Sequence, residues 1–221
     1  MLAKAFRFLL GLLLIPACIG YSVSFYHHLS VLRRIDGPEI SLLLGITAYL
    51  AFHVLVGSPS RAYVFGHELT HAAATWMTGG QVKGMKVGAK QGSVTTNKIT
   101  GFGALAPYLI PVYGIGVALA YGVTGFFVDV RPWVHWFFFG LGAALAFHLV
   151  FTVEALRQKQ SDLDVLGPLL SLGLIYWANL TLMVAVMSGV VPEIRFMPYL
   201  AEGFHQGRDL YLVIFHQLFS H

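Results

Sequence analysis

The sequence predicts an all-α membrane protein of about six transmembrane helices with a short β-hairpin after the third, and three observations predict it. Of 221 residues, 57% are hydrophobic and only 11% charged, with a mean hydropathy of +0.70; soluble domains carry about a quarter of their residues as Asp, Glu, Lys and Arg. The charged residues stand in short groups between long apolar runs. One inter-run segment is instead rich in valine, threonine and glycine. This composition excludes an ordinary soluble enzyme. The net charge of +4 sits beside the apolar runs, where membrane orientation and anionic headgroups account for it. No nucleic-acid partner is expected, and the lipid bilayer is the first partner.

A helix crosses the hydrocarbon core with about 17 to 25 apolar residues. By that measure the spans are 8–26, 40–56, 62–77, 104–128, 133–153 and 165–191. Lys4 and Arg7 resemble the start of a signal peptide and Cys18 a lipoprotein site, but apolar sequence runs on past Cys18, as an uncleaved first helix requires. That lone cysteine forms no disulfide within the chain. Residues 79–88 and 93–99 flank a Gly-containing connection at 89–92, the pattern of a β-hairpin. After Ile194, Arg195, Glu202, Arg208 and Asp209 interrupt the apolar pattern, and 210–219 is too short to cross, so the tail is expected at the interface. No repeat or linker divides the chain, which is read as a single domain, 1–221.

The third span carries His67-Glu68-Leu69-Thr70-His71, an HExxH sequence. Residues four apart on a helix share a face, so both imidazoles can reach one zinc ion, while Glu68 is placed to take a proton from water. An ionisable group in an apolar helix costs about 2.5 to 3.5 kcal/mol at its centre, and a bound cation compensates it. Two other readings fit less of the pattern. A hydrogen-bond network between helices needs no metal, and a b-type haem on His67 or His71 with His53 or His148 gives Glu68 no role. A di-iron site would want a second Glu-x-x-His, which the sequence lacks.

Catalytic zinc takes three protein ligands and leaves a position for water. The donors outside the motif are Glu154, Asp162, Asp164 and His148. Asp162 is the expected third ligand and Asp164 the runner-up, because Pro168 suits the first turn of a helix and leaves the residues before it irregular. Counting crossings puts the ends of the third and fifth spans on one side, within reach of a dipping loop. His148 is expected to line the site or to bond between helices.

These residues resemble the site-2 protease family of intramembrane zinc metallopeptidases, and in particular its small bacterial members without a PDZ domain. The resemblance rests on His67–His71 in a hydrophobic span, on Thr78-Gly79-Gly80 and the β-rich segment through Thr95, and on Ala106-Pro107-Tyr108, covering roughly residues 60 to 170. It implies zinc held by His67, His71 and Asp162 or Asp164, Glu68 as catalytic base, a hairpin edge that receives substrate, and a place in the bacterial inner membrane as a multi-pass protein. The family's later Asn-x-x-Pro-x-x-x-Leu-Asp-Gly motif is absent, and residues 160–167 stand in its place.

The expected activity is hydrolysis of peptide bonds in membrane-embedded or membrane-proximal protein substrates. The alternative is an inactive membrane scaffold or binding protein that keeps the same pocket. Sorting the basic residues by side gives Lys4, Arg7, Arg61, Arg131, Arg195 and Arg208 against Arg33, Arg34, Lys83, Lys86, Lys90, Lys98, Arg157 and Lys159. The positive-inside preference then places the hairpin side in the cytoplasm.

Overall fold

A computed structural model of the chain describes residues 2–30, 37–89, 91–158 and 160–219. Arg33, Arg34, Lys90 and Lys159, used above for orientation, lie outside the described residues. The described chain is mostly helical. In order come α1 (Leu2–Ser30), α2 (Pro38–Leu55), α3 (Ser60–Met77), β1 (Val82–Val87) and β2 (Gly92–Thr96). They are followed by α4 (Gly101–Leu109), α5 (Val112–Thr124), α6 (Val134–Leu156), α7 (Pro168–Ser188) and α8 (Phe196–Phe219), with 3₁₀ turns at Arg131–Trp133 and Ser161–Asp164. Contacts divide these into two compact units, one of Gly37–Val165 and one of Met1–Asp36 with Leu166–His221.

In the second unit α1 packs along α7 and α8. A side chain on Gly20 would collide with the backbone of Gly203 and Gly207, so glycines let α1 and α8 approach backbone to backbone, as small residues do between membrane helices. Tyr21 meets Tyr199 edge to face at 5.6 Å. The Glu202 carboxylate accepts from Ser24 Oγ at 3.2 Å and pairs with His27 at 2.5 Å. Pro168 opens α7 as expected, after Gly167 takes a positive φ of 87°. Residues 210–219, expected at the interface, are the last turns of a 24-residue helix, which is not among the described helices apolar enough to cross a membrane.

The first unit holds everything that builds the candidate site. Its α2 and α6 interlock through Gly45 and Gly142, where an added Cβ would strike the Phe139 and Leu42 carbonyls. Ser41 meets His135 at 3.1 Å and His53 meets Glu154 at 3.0 Å, so the two helices run parallel. Tyr63 of α3 stacks on Phe151 of α6 at 4.4 Å, while His67, a turn later in α3, shares a cavity with His148, a turn earlier in α6. Hence α3 and α6 run antiparallel.

That relation corrects the crossing count, which put the ends of these two helices on the same side. The expected span 104–128 is two helices bent by 68° at Ile110–Pro111, where proline removes a backbone donor and its ring forbids the preceding turn. From His71, whose ring meets the Gly103 carbonyl, α4 heads toward the start of α3. Tyr113 then packs on Phe147 and Tyr121 on Phe137, so α5 returns beside α6. The segment is therefore sharply bent and not one straight span. The antiparallel relation of α3 and α6 also moves Arg131, at the start of α6, to the opposite end of that helix from Arg157, which shares an end with Arg61.

Among the described residues four helices are long and apolar enough to cross a membrane, or five if α4 and α5 count as one, which is compatible with a multi-pass membrane protein. The expected count was six. The helix that falls short is α3, where Arg61, His67, Glu68, Thr70, His71 and Thr75 lower the hydropathy of an otherwise suitable length. Gly79, with φ of 74°, ends α3 as Gly79 N–H bonds back to Trp76 O and Gly80 N–H to Thr75 O; a left-handed residue at this place suits glycine. The hairpin follows as expected, in antiparallel register with Met85 opposite Val94 and Val87 opposite Gly92. Its second strand starts at Gly92, one residue before the expected flank, and an irregularity between Val82 and Gly84 interrupts the ladder.

Candidate metal centre

His67 and His71 stand one turn apart on α3, and the helical period brings their Nε2 atoms to 3.2 Å of each other. Asp162, on the 3₁₀ turn before α7, places Oδ2 at 3.6 Å from His67 Nε2 and 3.5 Å from His71 Nε2. Among the described residues these three are the group whose ligand atoms lie close enough to hold one metal ion. Their geometry can be tested against a real ion. Zinc bonds of about 2.0 to 2.1 Å in a tetrahedron put neighbouring ligand atoms about 3.3 to 3.4 Å apart. The three observed edges straddle that value, and the residues fit the ion.

The supporting contacts orient the donors. His71 Nδ1–H donates to the Gly103 carbonyl at 2.8 Å; since a carbonyl only accepts, Nδ1 carries a proton and Nε2 is the atom turned to the cluster. His67 Nδ1 is hydrogen-bonded to the Tyr63 hydroxyl at 3.1 Å. Tyr108 donates to Asp162 Oδ2 at 3.0 Å. Burial by itself would raise the Asp162 carboxyl, but the hydrogen bonds and charges of His67 and His71 outweigh it and hold the group well below the usual carboxylate range.

Glu68 is buried and lines a cleft of about 550 Å³ whose walls also include His67, Gln91, Gly92, Phe151 and Glu154. No hydrogen bond holds its carboxylate among the described residues. What confines it is the hairpin: a Cβ on Gly92 would lie 2.6 Å from Glu68 Cγ and 2.7 Å from both Glu68 Oε1 and Val64 Cγ1. The first residue of β2 thus lies flat against the motif glutamate, and only a residue without a side chain leaves it room.

The other expected donors are elsewhere. Asp164 is exposed and outside the cluster. Glu154 faces the cleft but is paired with His53, which also meets Tyr49 at 3.3 Å. His148 is buried beside a cavity of about 20 Å³ that His67, Thr70 and Thr152 also line. Sequence reasoning missed the supporting contacts. The i, i+4 spacing of Tyr63 and His67 was a usable signal for their hydrogen bond; nothing in the sequence marked Gly103 or Gly92 for their contacts. No family model, curated protein or solved structure matches the chain, so its chemistry is argued from these residues.

Proposed function

We propose that the protein is an intramembrane zinc metallopeptidase that hydrolyses peptide bonds of membrane-embedded or membrane-proximal proteins. The observation that carries this is the triangle of His67 Nε2, His71 Nε2 and Asp162 Oδ2, with edges of 3.2 to 3.6 Å, beside a buried carboxylate that shares the cleft with His67. Both halves are needed for hydrolysis; HExxH supplies Glu68 and the two histidines from one helix, and the turn before α7 supplies Asp162.

His67, His71 and Asp162 would hold the ion. Zinc bound there supplies a Lewis acid that brings the acidity of water toward neutrality. Glu68 takes the proton of the attacking water and returns it to the departing amine. A substrate helix must first unwind, because its carbonyls are spent in its own hydrogen bonds. A hairpin strand offers an extended segment the main-chain partners that replace them, and Gln91 and Gly92 bring that hairpin to the wall of the cleft.

The reading takes α3 as a further membrane segment beside the long apolar helices, with the polar motif compensated by the ion. It takes the resemblance to small bacterial site-2 proteases as an indication of family and of a place in the bacterial inner membrane. The departure at residues 160–167 favours one other reading, an inactive scaffold with the same pocket. Glu68→Gln separates the two. A peptidase keeps its zinc in that variant and loses about 10²- to 10⁴-fold in cleavage of a model membrane substrate; a scaffold is indifferent to it. Membrane proteins that accumulate uncut in a Glu68→Gln strain, identified by mass spectrometry, would be its substrates.

A further inference from the structure

Tyr108 has no part in the proposed reaction, yet it is fully buried and its one polar atom is spent on the cluster. The hydroxyl donates at 3.0 Å to Oδ2 of Asp162, the same oxygen that faces both imidazoles. Its ring stands edge-on to His67, with centroids 5.4 Å apart and planes at 83°. The helix that carries it, α4, also supplies the Gly103 carbonyl that fixes the His71 tautomer. One nine-residue helix therefore touches all three members of the ligand set.

Of the three, Asp162 most needs such help. The histidines project from an 18-residue helix, whereas Asp162 sits on a four-residue 3₁₀ turn. A carboxylate has two equivalent oxygens and a broad terminal torsion, so the turn alone does not decide which oxygen points at the imidazoles.

We propose that Tyr108 is the positioning residue of the metal centre: its hydroxyl selects Oδ2 of Asp162 and aims it at the point where the two imidazoles converge. The inference rests on the metal reading of the site. It predicts that the hydroxyl, not the ring, sets how tightly the third ligand engages, as outer-shell partners do at other metal sites.

The test is zinc affinity of the detergent-purified full chain, measured by competition with a chelating indicator, together with the melting temperature of the metal-free protein. Tyr108→Phe keeps the ring and its packing and is expected to weaken zinc binding about 10- to 100-fold while the metal-free melting temperature stays put. Tyr113→Phe, which removes a hydroxyl bonded to the Ala62 carbonyl, is expected to bind zinc as wild type does. In an Asp162→Ala background, Tyr108→Phe is expected to add no more than about a twofold loss, because the group it acts through is gone. Unchanged affinity in Tyr108→Phe, or an equal loss with and without Asp162, overturns the inference and leaves the metal reading standing. A wild-type protein that takes up no zinc overturns both.

Discussion

Gly92→Ala tests the account at the point where hairpin and motif meet. Gly92 does not adopt a positive φ, so alanine meets no backbone strain, and the whole effect comes from space. The new methyl would lie 2.6 Å from Glu68 Cγ and 2.7 Å from Val64 Cγ1. Carbon atoms prefer about 3.5 to 4.0 Å, so Glu68 or the strand must yield by about 1 Å. A displacement of about 1 Å in a reacting group costs about 10²-fold in rate, which is the expected loss of cleavage. Zinc content should not change, since none of the three ligand atoms borders Gly92. Gly116→Ala in α5, where an added Cβ meets nothing within 4 Å, serves as the control. The assay is cleavage of a membrane reporter by purified protein, with zinc per chain measured on the same samples. Cleavage by Gly92→Ala within about threefold of wild type would refute the claim that this contact positions Glu68.

Two further outcomes follow from the same structure. Gly142→Val drives a branched side chain into the Leu42 backbone, which cannot move aside as a side-chain tip can, so it should destabilise the α2–α6 pair by about 1 to 3 kcal/mol or more, read as a lower melting temperature in detergent; an unchanged transition counts against the close approach. In metal-free protein the depressed Asp162 carboxyl contributes stability that is present above its unfolded value of about 3.9 and lost as pH falls toward the folded one. The stability difference between wild type and Asp162→Asn should accordingly shrink below about pH 4, and a difference that stays constant down an acid titration contradicts the pairing with His67 and His71.

What could be read from the sequence follows the range of each physical signal. The HExxH pair was legible because a helix fixes the separation of residues 67 and 71 locally. The hairpin was legible because β-branched residues flank a Gly-bearing connection. Asp162 was reached by elimination among few intramembrane or near-membrane donors, and the structure brings it to the histidines by a different route from the one expected: the crossing count failed around Pro111, whose bend breaks a segment that hydropathy alone reads as one span. The helicity of α3 was legible, but its motif removes it from the apolar class. Tyr108, Gly103 and Gly92 act through contacts between distant parts of the chain, and a buried tyrosine or glycine in an apolar run looks the same whether it packs or positions. The long helix α8 was hidden by Glu202, Arg208 and Asp209, whose cost is offset in part by partners such as Ser24 and His27 on α1.

The most direct measurement is the zinc content of the detergent-purified chain from zinc-replete cells, by elemental mass spectrometry, for wild type and for His67→Ala, His71→Ala and Asp162→Ala. About one zinc per chain in wild type, lost in both histidine variants and weakened in Asp162→Ala, is the result this account requires. A wild-type protein without zinc, or three variants that all retain the wild-type content, would contradict it.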